Sequence, residues 1–148
     1  MPVLREKIET SLPLPSTFSF VADFANAERW DPGVAASEQT TDGPLGVGTR
    51  YRLGVRMRGR VSPMDYVVTV YEPDRRVVLA GSGSGVAATD EIRFEATPAG
   101  TRIDYIADIR LRGLLSLATP FAGGTFRRIA RDARDGMERA LDALASAS

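Results

Sequence analysis

The chain has 148 residues, 43% apolar and 26% charged, an ordinary composition for one globular domain large enough to bury its own core. Its 19 basic and 19 acidic residues cancel, so the chain as a whole gives no electrostatic case for nucleic acid or an anionic membrane. It has no cysteine and no histidine. That excludes disulfides, thiolate nucleophiles, imidazole metal ligation and Ser-His-Asp hydrolysis, and leaves acid–base work to carboxylate, tyrosine, lysine, arginine or water.

No apolar run approaches the roughly 18 residues of a membrane span. No charged segment followed by an apolar one opens the sequence, so the expected compartment is the cytoplasm. Lys7 is the sole lysine, and acidic residues are interleaved with the arginines throughout, which argues against an RNA-binding patch.

Taken in order, residues 3–10 alternate, with Leu4, Ile8 and Thr10 opposite Arg5, Lys7 and Glu9, and predict a first strand. Leu12-Pro13-Leu14-Pro15 ends it, and Pro15 suits the first turn of a short helix whose inner face is Phe18, Val21 and Ala22. Asn26 is placed to cap a second short turn over Ala27–Trp30, which Asp31-Pro32-Gly33 breaks. From Val34 the period becomes two. Weak alternation over Val34–Thr40 is followed by a strand over Thr49–Gly59, with Tyr51, Leu53, Val55 and Met57 against Arg50, Arg52, Arg56 and Arg58. Met64–Glu72, Arg76–Gly81, Ala88–Ala96 and Thr101–Leu111 alternate in turn, separated by Pro73-Asp74, a glycine-serine stretch and Pro98-Ala99-Gly100.

Leu114–Phe121 reads as a short helical lead-in bent at Pro120. Thr125 then caps a helix to about Ala145, whose apolar stripe includes Phe126, Ile129, Ala133, Met137 and Leu141. The arginine-rich face, Arg134 included, is assigned to solvent. Consecutive alternating strands make an antiparallel meander with one dry face, and the amphipathic helix is the available cover. The prediction is a single α+β domain over residues 1–148: a curved seven-stranded sheet gripping one long helix, with two short helices after strand one.

Several local sequences carry a resemblance. These are Trp30-Asp31-Pro32-Gly33-Val34, Gly43-Pro44-Leu45-Gly46-Val47-Gly48-Thr49-Arg50-Tyr51, Val70-Tyr71-Glu72-Pro73-Asp74-Arg75-Arg76 and Gly100-Thr101-Arg102-Ile103-Asp104-Tyr105. In this order, and spread over nearly the whole chain, they resemble the helix-grip START/Bet v 1-like (SRPBCC) superfamily, and within it the bacterial polyketide cyclase/dehydrase-like branch. The resemblance implies an elongated apolar cavity between sheet and helix. It implies no particular reaction, because the matching residues serve turns and packing.

Strand parity and the helical stripe nominate the residues that would line such a cavity: Trp30, Tyr51, Met57, Met64, Tyr66, Phe94, Tyr105, Phe126 and Met137. Tyrosine supplies a ring and a hydroxyl, and methionine adapts to irregular shapes. Each is equally at home in a plain core. Two carboxylates break the inward parity, Asp90 between Ala88 and Ile92 and Glu6 between Leu4 and Ile8. A carboxylate in an apolar cavity has a raised pKa and can exchange a proton with a ligand, which makes Asp90 the candidate acid–base residue. Alternatively, both carboxylates stay hydrated or pair with an arginine. The Gly81-Ser82-Gly83-Ser84-Gly85 stretch does not match GxGxxG and opens no helix, so it reads as a hairpin at the cavity mouth. Gly136, inside the long helix, suggests the close approach of a strand or a softened helix.

Three readings follow. The first is a cytoplasmic binder of a small, mostly apolar molecule (lipid, isoprenoid or aromatic), with a pocket of about 300 Å³ or more. The second is a cyclase or dehydratase acting on a polyketide-like ligand of this kind, with Asp90 as acid–base group. The third is an interaction module with a filled core. No cofactor or metal is expected, and the chain is expected to be a monomer or homodimer.

Overall fold

The computed structural model describes residues 3–57, 59–121 and 123–147. Arg58, expected near the end of the third strand, lies outside them. The period-two segments form seven strands: β1 (Val3–Thr10), β2 (Val34–Gln39), β3 (Arg50–Met57), β4 (Arg60–Glu72), β5 (Arg76–Gly83), β6 (Val86–Thr97) and β7 (Gly100–Leu111). Between β1 and β2 lie α1 (Leu14–Val21), a 3-10 turn (Phe24–Asn26) and α2 (Ala27–Trp30). A 3-10 segment (Gly113–Phe121) leads from β7 into α3 (Gly123–Ala147).

The sheet order is β1-β7-β6-β5-β4-β3-β2, antiparallel throughout. Six strands form a meander, and β1 returns to pair with β7, leaving β1 and β2 as the edges. The sheet curls into a half-barrel around α3, the helix-grip fold. The 25 residues of α3 make a rod of about 37 Å that packs on β1 and α2.

One strand runs further than its pattern predicted. β4 begins at Arg60 and not at Met64, with Pro63 inside it opposite Gly54. The neighbouring β5 reaches only to Met64, so β4 has a partner on one side at Pro63, where a missing amide is tolerated.

The inward rows and the helices bury one continuous core. α1 covers one end of the concave face: the Phe18 ring meets the rings of Phe94 at 4.9 Å and Tyr71 at 5.5 Å, both edge-on. Buried Thr17 and Thr101 each donate a hydroxyl proton to the Leu12 carbonyl, at 3.1 and 2.8 Å, tying the start of α1 to the start of β7. Phe24 sits centrally, edge-on to Tyr66 at 5.5 Å and to Trp30 at 6.1 Å.

The seating of α3 differs from the expected stripe. Phe126, Gly136, Met137 and Leu141 are buried, whereas Ile129 is 42% exposed. At Gly136 the helix flank meets the α2–β2 connection so closely that a Cβ there would collide with the Trp30 carbonyl oxygen and lie 3.0 Å from Pro32 Cδ. The close approach expected of this glycine is therefore to a loop, not a strand. Ile129 is on the same flank about two turns earlier, beyond the reach of that connection. Arg134 does not face away from the sheet either. Its Nε donates to the Lys7 carbonyl at 3.0 Å and lies 3.8 Å from Glu6 Oε1, linking α3 to β1.

Candidate functional site

Where α1 does not reach, the space between sheet and α3 is not filled. A cavity of about 170 Å³ remains. Its buried floor includes Ile8, Phe24, Trp30, Leu53, Met64, Tyr66, Ala88 and Asp90. Its exposed or half-exposed rim includes Arg56, Met57, Ile129 and Arg134, so the mouth lies between the end of β3 and the first turns of α3.

Six of the nine nominated lining residues border this space: Trp30, Met57, Met64, Tyr66, Tyr105 and Phe126. Three do not. Tyr51, Phe94 and Met137 are buried in packed core; Phe94 lies beneath Phe18 of α1, and Tyr51 beside Phe24. The predicted opening at the Gly81–Gly85 hairpin is also absent, because none of those glycines or serines borders the cavity. Gly81 acts indirectly. It pairs with Tyr66 across β4–β5, and a Cβ on it would lie 2.5 Å from Tyr66 Cε2, so the missing side chain makes room for the tyrosine ring. The volume is smaller than the expected 300 Å³ or more, because Phe24, Trp30 and Tyr66 occupy much of the concave face.

Asp90 lies where strand parity placed it. On β6 it continues the buried row Val86, Ala88, Ile92 and Phe94, and it is only 7% exposed. Tyr105, opposite Ile92 on β7, donates its hydroxyl to Asp90 Oδ2 at 2.6 Å. That is the short distance of a hydrogen bond to a charged acceptor. Burial pushes the Asp90 carboxyl up to about 6; the Tyr105 bond opposes this, and the charge of Asp31 adds to it. Tyr105 and Tyr66 are held well above the ordinary tyrosine range, first by burial and then by the Asp90 and Asp31 charges. Both phenols therefore remain donors at neutral pH.

Sequence reasoning missed Asp31. Its turn motif was legible, and Asp31 Oδ1 does accept from the Gly33 amide at 2.8 Å. The same side chain also borders the cavity. Its pKa is raised to about 6, mainly by burial and further by Asp132, against the Gly33 hydrogen bond and the Arg56 charge. The available signal was an aspartate directly after a buried tryptophan at a helix end. Glu6 borders the cavity too, but is paired with Arg134 as described above.

Trp30 stands edge-on to Tyr105 at 6.0 Å, fixing both rings. Its buried indole N–H has no hydrogen-bond partner among the described residues. The site thus combines an apolar lining with two carboxylates raised to about 6 and two neutral phenols. No group of three or more metal-ligating side chains suited to holding a metal ion occurs among the described residues.

A half-barrel sheet closed by a C-terminal helix over an internal cavity defines a START-like helix-grip protein. The chain belongs to the family described as polyketide cyclase / dehydrase and lipid transport, whose model matches residues 1–148. Similar solved structures include a protein from Thermus thermophilus with a TM-score of 0.80 and 16% identity, over 99% of this chain and 100% of that one. The Zhui aromatase/cyclase from Streptomyces sp. R1128 has a TM-score of 0.75 and 14% identity, over 95% and 90% of the two chains. A START superfamily protein from Mycobacterium smegmatis has a TM-score of 0.74 and 15% identity, over 96% and 95%. No curated protein matches the chain by sequence.

Proposed function

We propose that this protein binds a small, mostly apolar molecule in the cavity under α3, with the ligand's polar group directed at the Asp90–Tyr105 pair. The observation that carries this reading is the partly enclosed space of about 170 Å³ with a buried carboxylate in its floor. A dry apolar cavity of about 150 Å³ is enough to hold benzene, so the volume favours a single-ring or short-chain ligand over a polycyclic one. The apolar walls supply the affinity, and the few polar groups supply orientation. A protein-interaction module needs no such void. Titration calorimetry of the full chain with toluene, phenol and indole tests the proposal. Saturable binding is expected, and Ala133→Phe, which adds a ring to the cavity lining, is expected to abolish it with the fold intact. If none of the three binds, or if Ala133→Phe binds as well as the parent, the reading fails.

A second reading is favoured by one specific observation, the 2.6 Å Tyr105–Asp90 hydrogen bond on a carboxylate raised to about 6. An acid–base group works best near the operating pH, and a carboxylate near 6 can take a proton from a carbon acid or return one to a leaving hydroxyl. Tyr66, held neutral, would polarise a carbonyl beside it. Asp90→Asn tests this second reading: a cyclase or dehydratase loses about 100-fold or more in turnover while still binding, and turnover left intact removes Asp90 as its acid–base group.

A further inference from the structure

The zero net charge of the chain conceals a local imbalance. From Arg110 to Arg131 the sequence carries arginines at 110, 112, 127, 128 and 131 and no aspartate or glutamate. All five are exposed. Arg110 is paired with Asp108 at 3.3 Å, and the other four make no ion pair among the described residues. Arg127 folds back over the start of α3: a Cβ on Gly123 would lie 3.3 Å from its Nη1.

The same stretch holds much of the exposed aliphatic surface. Leu114 is 87% exposed and Leu117 74% exposed on the 3-10 segment, and Ile129 is 42% exposed on α3. Leu115 packs against the β5–β6 turn, where a Cβ on Gly85 would collide with its Cδ1, and this pins the segment beside the rest of the sheet. Ile129 belongs both to this surface and to the rim of the cavity.

We infer that the face formed by Leu114, Leu117 and Ile129 with their surrounding arginines docks on an anionic lipid surface, with the cavity mouth turned toward it. Exposed aliphatic side chains in a stretch that carries arginine and no carboxylate match the headgroup–acyl boundary: leucine reaches below the headgroups and arginine stays among the phosphates. A second copy of the chain is disfavoured because the facing surfaces would both be basic. Each arginine near an anionic leaflet strengthens partitioning about five-fold. No helix among the described residues is long and apolar enough to cross a membrane, so the docking is peripheral.

The test is co-sedimentation of the full chain with vesicles of phosphatidylcholine alone and of phosphatidylcholine mixed with phosphatidylglycerol. Retention on the mixed vesicles only, weakened by raised salt, is expected. Arg127→Gln with Arg128→Gln is expected to weaken it roughly 25-fold. Leu114→Ser with Leu117→Ser is expected to weaken it as well. Both pairs sit on the surface and should leave the melting temperature unchanged. Equal retention on the two vesicle types, or wild-type retention by both double variants, overturns the proposal. So does a self-associated chain that ignores vesicles and turns monomeric in the leucine variant, because the face then joins two copies.

Discussion

Asp90→Asn is the sharpest test of the site because its effect on stability has a definite sign. The folded-state pKa of Asp90 stands near 6 against an ordinary value of 3.8, a difference of about two units. At about 1.36 kcal/mol per unit, ionising this side chain in place costs roughly 3 kcal/mol more than in the unfolded chain. Because the folded value is the higher one, the native protein binds the proton more tightly than the unfolded chain does. The contribution is therefore full below about pH 4 and is lost as pH rises through about 6. Asparagine resembles the protonated acid in shape and still accepts a hydrogen bond from Tyr105. At pH 7 the variant should be more stable than the parent by about 1–3 kcal/mol, and the two should converge near pH 4. In a chain of this size that corresponds to a melting temperature about 2–10 °C higher. Scanning calorimetry or urea unfolding of both proteins across this pH range measures it. Parallel stability curves, or a variant that is less stable at pH 7, would mean that the Asp90 charge is comfortably accommodated and that the buried-acid argument is wrong.

Two further predictions concern α3. Gly136→Ala should destabilise the fold by about 2 kcal/mol or more despite a gain of about 1 kcal/mol in helix propensity, since the new methyl group meets the backbone of Trp30; chemical denaturation reads the difference. Ile129→Asp should change stability by less than about 1 kcal/mol because the side chain is 42% exposed, and a loss of several kcal/mol in the same assay would mean that the start of α3 lies deeper.

The fold was legible because its signals are local and repeated. Period-two runs such as Thr101–Leu111, and a three-four spacing along α3, mark the elements within a residue or two, and antiparallel order follows from short turns. β4 was read short because proline normally ends a strand, and nothing local tells that the pairing of β5 with β4 goes no further than Met64. The candidate site was legible in part, for a physical reason. Parity states which face a side chain takes, not what covers that face at its depth along the strand. Ala88, Asp90 and Phe94 share one row of β6, yet α1 covers Phe94 while the other two border the cavity. Asp90 stood out as the one carboxylate in that row. Asp31 did not, because the turn it makes with Gly33 explains it sufficiently. The exposure of Ile129 and the role of Gly81 depend on contacts between segments far apart in sequence, which no window of residues contains.

The central claim, that α3 and the sheet enclose a ligand site built around Asp90, is tested most directly by a crystal structure of the protein soaked with indole. Ordered ligand density is expected between Met64, Tyr66 and Phe126, with the ring among the apolar floor residues and its N–H directed to Asp90. Density only at the surface, or side chains closed over an occluded space that indole does not enter, would contradict it.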